Sequence, residues 1–578
     1  PYLFRFAISS VNKTSGIGVY AQLGVNLASF DVDTSFISVA EIGNNLHISG
    51  GFLWAYDGNI PVEQNFHLWP DLDTTLSSGT SVAITTSAIG GSITTQDYTY
   101  IATYEWQDNK GNLFRSGISL RAPLASASLS GSSNSVTVNV PTLRLTYKIA
   151  NPPKIVLYRA STAQPTFYQV NPTSTPTLNN PLVDSVAIVD TLADGSIIGN
   201  PILYTNGGVL ENTGGQAFKA ISIFDNRLFG ILAENPNTLA YSQPIVDATP
   251  VEMSQFLTKY ISPTIGAQGN TGENEFFGLM DDKLILFKKS ALYYFNGAGP
   301  DLTGSNNQYS EPIFITCVVG STNQNSIIFI PQGLMFQSDN GIWLLGRDLS
   351  TKYIGADVDA YNNQLVLSAT SVPGTTYVLF SFDSGITLMY DYFYNQWGEF
   401  KGVPAISGTI LDGRHTYMNA QRLVLQETPG TYLDGSSPIL MSLTTGWIPL
   451  AGLQGYQRAY RMFLLGTYQS PHKIYTSLSY DYNPAVTQAF TITPINISST
   501  YGSESPYGEG NYGGTSSLEQ YQINFMQQKC QSFQLSLQEL YDPTLGMTAG
   551  AGFTLSGANV IFGYKKGYPR VSAAQTVG

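Results

Sequence analysis

Charge is what this sequence has least of. Asp, Glu, Lys and Arg together supply 12% of its residues, about half the share of an ordinary soluble domain. Ser, Thr, Asn, Gln and Gly stand in their place. Such a surface suits a protein packed against other subunits, although an extracellular β protein carries the same polar composition. What charge there is leans acidic, with 27 basic against 40 acidic residues and a net −13. That argues against a general nucleic-acid clamp, which needs clustered Lys and Arg, but is compatible with an acidic channel along which DNA slides without sticking. Cysteine is nearly missing. Cys317 and Cys530 build no disulfide framework and are expected as free, buried thiols. No apolar run reaches the ~20 residues of a helical membrane span. No signal peptide is visible, and position 1 is Pro rather than Met, so something upstream is expected to have been removed or left out.

Catalytic patterns are equally scarce. The four histidines, His47, His67, His415 and His472, have no second His or Cys at metal-ligand spacing, so each is expected at a turn or on the surface. Asp-x-Asp occurs at Asp31/Asp33, Asp71/Asp73 and Asp357/Asp359. None continues into a calcium loop with its Gly and terminal Glu, and loop polarity explains them. Gly297-Ala298-Gly299 runs into Pro300, not into a helix whose N–H groups could cradle phosphate, so it reads as a plain loop. There is no Gly-x-Ser-x-Gly elbow. Ser338-Asp339-Asn340-Gly341 is a poor sialidase Asp-box, because its Ser and Asp are adjacent. Asn12 and Asn496 match the glycosylation sequon by chance. The expectation is a protein that is not an enzyme, with no catalytic, metal or cofactor-binding residue and no cofactor.

What the chain has is strand patterning along nearly all of its 578 residues, too many for one core. Gly333–Gly355 (GLMFQSDNGIWLLGRDLSTKYIG) reads strand, tight turn, strand, turn, strand. Leu334 and Phe336 should face one way, Met335 and Gln337 the other. Asp339-Asn340-Gly341 supplies residues that tolerate positive φ. Ile342–Leu345, apolar on both faces, should be buried on both sides. Similar units begin near Ile221, Phe276 and Tyr377, each with Asp in a turn, and a further one runs from Ala405 through Leu425. A recurrence of about 50 residues is that of four-stranded propeller blades. Tyr390–Trp397 (YDYFYNQW) resembles the kelch blade pattern, in which two aromatics wedge between blades.

Residues 86–200 read as a separate immunoglobulin- or fibronectin-III-like sandwich. Tyr98, Tyr100, Ala102, Tyr104 and Trp106 alternate onto one face, Asp108–Asn112 turns the chain, and strands follow at Val136–Val140, Lys154–Arg159, Phe167–Val170 and Ala187–Asp190. The predicted fold class is therefore all-β, a β-propeller with an inserted sandwich and a β-rich C-terminal part. Residues 1–85 should contribute strands to the propeller, with Phe36–Ala40 and Leu46–Tyr56 as strands and Asp57-Gly58-Asn59 as a turn. Residues 201–450 should hold the blades. Residues 451–578 should complete the propeller or form a tip, with Arg461–Thr467 pairing Ile474–Tyr482, three more strands at Tyr521–Met526, Ser532–Leu540 and Ala558–Tyr564, an irregular Gly/Tyr-rich loop at Tyr501–Ser516 and a loose tail.

The order of these parts resembles the tail nozzle proteins of short-tailed bacteriophages. Phe224–Gly230 (FDNRLFG) with Leu239–Gln243 (LAYSQ) is similar to that family's blade opening, an Asn-Arg-Leu strand before a Tyr-Ser strand. Gly333–Gly355 and Tyr390–Trp397 resemble two further blade segments. Lys154–Ser161 (KIVLYRAS), Phe167–Val170 and Val189–Gly195 (VDTLADG) resemble its inserted sandwich. The likeness spans about residues 86–430. It implies a virion protein assembled in the bacterial host cytoplasm. Six copies would form a homo-oligomeric ring below the phage adaptor and portal, which retains packaged duplex DNA, passes it through the lumen on ejection without reading its sequence, and carries tail fibres or other tail proteins outside. A host-recognition or glycan-binding propeller is the alternative, with loop aromatics such as those in Tyr501–Tyr512 stacking on sugars. A propeller glycosidase is the third.

Overall fold

A computed structural model describes residues 37–564, apart from 73–79, 204–208, 214–215, 246–249, 266–268, 316, 429–432, 435–436, 451–456, 469–471, 494–516 and 542–551, together with four short strands before residue 37. The expectations at Asp31/Asp33, Asp73, Asn12, Phe36, Asn496, Tyr501–Ser516 and the last fourteen residues lie outside the described residues. The chain divides into two compact units, Pro1–Ala7 with Tyr20–Leu425, and Ile8–Val19 with Gln426–Gly578. The protein is all-β.

In the first unit, six antiparallel meanders follow one another among the described residues. The first sheet is Val39–Ile42, Asn45–Ile48, Trp54–Tyr56 and Pro61–Glu63. The second runs from Ala217–Phe224 through Arg227–Leu232 and Thr238–Ser242 to Met253–Tyr260. The third spans Asn274–Met280 to Ile313–Ile315, the fourth Ile328–Ile330 to Thr351–Tyr353, and the fifth Val366–Ser371 to Gln396–Phe400. The sixth has three strands, Ala405–Leu411, Arg414–Asn419 and Val424–Gln426. These are propeller blades. Leading strands pack on one another between the first and second, second and third, fourth and fifth, and fifth and sixth sheets, while the leading strand of the third, Asn274–Met280, packs on Gly333–Ser338 of the fourth.

The fourth sheet shows why they stack. Gly333–Ser338 pairs with Gly341–Gly346 in the register Leu334↔Leu345, Met335↔Leu344, Phe336↔Trp343. Leu334, Phe336 and Leu345 join one core with residues of the second and third sheets. Met335 and Ile342 join another with Val366, Val378 and Phe380 of the fifth. Alternation along the strand thus divides one hairpin between two cores. Trp343 and Leu344 are only half-buried, so the burial expected on both faces is complete for Ile342 and Leu345 alone. The turn also differs from expectation. Only Gly341, at φ 98°, has positive φ there. Two-residue turns with both positions left-handed are found instead at Gly43-Asn44, Asp225-Asn226 and Asp412-Gly413, with φ between 50° and 72°, the geometry a tight hairpin demands.

The seam between the fifth and sixth sheets is polar. Ser368, Thr370, Ser381, Thr387, His415 and Thr416 are all buried there or beside it, and a Cβ on Gly408 would meet Thr370 Oγ1 and Ser368 Oγ. Glycine leaves room for these two hydroxyls to pack against its backbone.

The sandwich is inserted after the first sheet. A three-stranded sheet, Ile84–Ser87, Ser135–Pro141 and Ser185–Asp190, faces a larger one built on Tyr98–Gln107 and Lys154–Ser161. Tyr98, Tyr100, Ala102, Tyr104 and Trp106 are all buried in the core between them. Asp108 turns the chain by accepting the Lys110 and Asn112 N–H groups at 2.9 and 2.8 Å.

Several expectations are corrected. Leu46–Tyr56 is not one strand. Gly50 and Gly51, at φ 105° and 137°, break it, and Gly51–Phe52 crosses to pair with Ala217–Phe218 of the second sheet. Phe167–Val170 shrinks to Tyr168–Gln169. Arg461–Thr467 and Ile474–Tyr482 do not pair. Gln457–Tyr468 lies between Ser517–Asn524 and Phe553–Tyr564, whereas Lys473–Tyr480 lies between Gln488–Ile492 and Phe533–Leu540. Met462, Leu464, Ile474, Leu478, Leu535 and Phe553 share one core, so the second unit is a β-sandwich of its own. Ser442–Thr444, within the range expected for blades, pairs with Phe533–Leu540 of this sandwich.

Three of the four histidines are buried, not at the surface: His47 at 1%, His415 at 5% and His472 at 1% exposure. His472 lies 3.6 Å from Glu539. His47 sits in the middle of the first sheet, opposite Ala40 and Ala55, and burial lowers its pKa from 6.5 to about 4 against an opposing contact with the Ile42 carbonyl. The unfolded chain protonates His47 near pH 6.5 while the folded one does not. Its contribution to stability is therefore complete above that pH and lost as the pH falls toward 4, by up to about 3 kcal/mol. Urea denaturation at pH 7 and pH 4.5 should show this loss, and His47→Leu should remove that part of the slope.

Candidate interaction surfaces

The described residues contain no group of three or more His, Cys, Asp or Glu able to hold a metal. Cys317 and Cys530 are free and buried, and burial pushes both thiols up, which makes them poor nucleophiles. Lys288 is fully buried. Burial lowers its pKa to about 8, and its Nζ donates to the Gly272 carbonyl at 3.1 Å. The Gly297–Pro300 loop is a brace. Asp225 accepts the Gly299 N–H and the Tyr309 hydroxyl, each at 2.8 Å, and Arg227 donates to the Pro300 carbonyl. The Tyr390–Trp397 aromatics do wedge between sheets. Their rings lie 4.7 Å apart, and Trp397 Nε1 donates to Ile354 O, at the end of the fourth sheet, at 2.9 Å.

The chemistry the chain does assemble is at the joint between the inserted sandwich and the first sheet. Residues 145–149 pass Glu63 in a series of turns, with Thr146 and Lys148 buried and Leu145, Tyr147 and Ile149 exposed. Lys148, fully buried, reaches Glu63 Oε1 at 2.8 Å and donates to the carbonyls of Glu63 and Asn65 at 2.8 and 2.6 Å. Its ammonium also lies over the rings of Phe66 and Trp106. Burial lowers the Lys148 pKa and the Glu63 charge opposes this. Thr146 Oγ1 and the Tyr147 N–H donate to the same carboxylate at 2.5 and 3.0 Å, and the Tyr147 ring packs 4.6 Å from Trp54. Every oxygen and proton of the pair is thus engaged, which a buried ion pair requires.

The same alternation turns Leu145 and Ile149 outward, 80% and 64% exposed. The adjoining loop adds Leu182 and Val183. It is tied to this segment by Asn179, whose side chain bonds both the N–H and the carbonyl of Leu143, and by the Arg144–Asp184 ion pair. The result is two tied turns that present exposed apolar side chains. Clustered exposed apolar side chains mark interaction sites, whereas scattered ones do not.

A second buried network holds the sandwich itself. Arg159 donates to Asp190 at 2.5 Å, to Asp194 at 3.0 Å and to the Leu192 carbonyl at 3.0 Å. Tyr100 and Tyr98 hydroxyls donate to the same two carboxylates at 2.9 Å. Arg159 comes from Lys154–Ser161 and both acids from Val189–Gly195, so two segments quoted for the family resemblance meet in one ion-pair cluster. Sequence reading missed Lys148 and Glu63 altogether. The signal available was an alternating Leu145-Thr146-Tyr147-Lys148-Ile149 stretch, but nothing in sequence pairs it with a residue more than eighty positions upstream.

No protein-family model and no curated protein matches the chain. Among solved structures, a crystal structure of BBS1N in complex with ARL6DN is similar at TM-score 0.24 and 7% identity, over 51% of this chain and 88% of that one. A chain of the mitotic checkpoint complex is similar at TM-score 0.25 and 9% identity, over 70% and 98%. PorZ, a surface component of the type-IX secretion system of Porphyromonas gingivalis, is similar at TM-score 0.25 and 11% identity, over 83% and 68%.

The Lys148–Glu63 pair makes a direct prediction. Removing one partner leaves a buried charge, so Glu63→Gln should destabilise the first unit by about 3–5 kcal/mol. The double change Lys148→Met/Glu63→Leu should recover more than half of that. Urea midpoints of the three proteins check it.

Proposed function

We propose that this chain is a structural subunit of a short-tailed phage tail nozzle. In this reading about six copies form a ring that prolongs the portal channel, hold the end of the packaged genome and let it pass. The observation that carries the reading is the apolar surface of Leu145, Ile149, Leu182 and Val183, fixed on a sandwich locked to its blade by Lys148 and Glu63. A chain with 12% charged residues and a rigid apolar projection is suited to wide contacts between copies, whose cores are depleted of charge. The order of parts supports it too: blade, inserted sandwich, then further blades, with Arg159 joining the segments that carry the resemblance. A net charge of −13 suits a lumen that repels phosphate instead of gripping it. The adaptor and portal would bind at one end of such a ring and fibres outside it.

Negative-stain electron microscopy and mass photometry of the purified protein test this. The expected outcome is a ring with a central hole wide enough for duplex DNA. Leu145→Asp/Leu182→Asp should abolish rings while leaving the thermal midpoint of the monomer within a few degrees, because both side chains are exposed. A protein that stays monomeric at every concentration, with or without portal–adaptor complex, overturns the proposal.

A further inference from the structure

The hairpin that ends the fifth sheet forms one wall of an open cleft of about 420 Å³, within the usual range of small-ligand sites. The other wall is the Gly355–Tyr361 segment that follows the fourth sheet. Six side chains give the cleft its chemistry: Tyr361 and Trp397, the amides Asn395 and Gln396, and the carboxylates Asp357 and Glu399. No Lys or Arg is among its lining residues.

The arrangement is held in place from behind. Trp397 spends its Nε1 proton on the Ile354 carbonyl at 2.9 Å and packs against Tyr390, so the indole offers the cleft apolar ring surface and no donor. Asn395 adopts φ 55°, and its Oδ1 accepts the Tyr390 hydroxyl at 3.0 Å. That fixes the amide and leaves its Nδ2 protons to donate. Asp357 and Glu399 form no ion pair with any described side chain. The site therefore presents aromatic surface, amide donors and acceptors, and two strong acceptors.

We infer that this cleft binds a sugar residue of a polysaccharide, either a neutral hexose or an N-acetylhexosamine. The apolar face of a pyranose lies against an aromatic ring. Its hydroxyls, each both donor and acceptor, match carboxylates and amides together, and hydroxyl-to-carboxylate bonds are the strong kind. Anionic sugars are excluded by the two unpaired acids. An open cleft admits one residue of a longer chain from the side, where a closed pocket would admit only the free monosaccharide. The site binds and does not cleave: no reaction is assigned to Asp357 or Glu399. The inference is independent of ring assembly, since every one of these residues belongs to the first unit of a single chain, and a monomer can bind sugar as well as a ring.

Saturation-transfer NMR on the full chain tests it, with the methyl glycosides of glucose, galactose, mannose, N-acetylglucosamine and N-acetylgalactosamine as probes and tetramethylammonium as the cationic control. At least one glycoside should show transfer to its ring protons. Asp357→Ala/Glu399→Ala, both exposed and free of structural partners, should weaken that glycoside by about tenfold or more. Trp397→Phe, which keeps an aromatic ring but loses the bond to Ile354, should weaken it as well. Wild-type binding in the double variant, transfer to none of the glycosides, or binding of tetramethylammonium alone each overturns the proposal.

Discussion

A single four-stranded meander is too thin to bury both of its faces, and the first unit is the consequence of that constraint. Its strands carry apolar residues at successive positions, so a sheet standing alone would leave one face wet. The hairpin Gly333–Gly346 makes the point residue by residue: Leu334 and Phe336 complete the core shared with the preceding sheets, and Met335 and Ile342 the core shared with the next. The second and fourth sheets are therefore each both the lid of one core and the floor of another. Where apolar residues run out, at the seam of the fifth and sixth sheets, buried hydroxyls and His415 take over, and the Ser368 and Thr370 hydroxyls occupy the space a Cβ on Gly408 would need.

Charge follows a complementary rule. There is little of it, and much of what is buried ties one element to another. Lys148 with Glu63 fastens the inserted sandwich to the first sheet. Arg159 with Asp190 and Asp194 joins the two sheets of that sandwich. Arg227, buried at 2% exposure, bridges the Ser242 carbonyl and the Pro300 loop. Such pairs add little net stability, but breaking one is costly. They specify which element docks where, a job that a low-charge, hydroxyl-rich sequence leaves otherwise underdetermined. In the nozzle reading the same rigidity gives the exposed Leu145, Ile149 and Leu182 a fixed position to offer a neighbouring copy.

Much of the fold was readable from local pattern. The sandwich face of Tyr98 to Trp106 was visible because strand side chains alternate, and Asp108 was visible as a turn because its carboxylate can take its own following N–H groups. Failures occurred where local pattern met a tertiary choice. Leu46–Tyr56 looks continuous, yet Gly50 and Gly51 let the chain step sideways to an adjoining sheet. Arg461–Thr467 and Ile474–Tyr482 look like a hairpin, yet each has better partners more than fifty residues further on. Histidine looks like a surface residue, yet His47 is neutral in a core because burial outweighs its basicity. The cleft beside Trp397 was half legible. The aromatic pair stood out in YDYFYNQW, whereas Asp357 comes from a segment more than thirty residues upstream that only the packing of the fourth sheet on the fifth brings across.

By itself the sequence determined the strand content, the turn positions and the absence of a disulfide framework, since these depend on side-chain period, on backbone freedom at Asp, Asn and Gly, and on cysteine count. Which strands pair, which sheet covers which, and which side chains meet in a cleft were decided only in three dimensions. Hydrogen bonding between strands is indifferent to side-chain identity. Partner choice therefore falls to long-range packing of apolar faces and to a few buried ion pairs, whose members lie far apart in the chain.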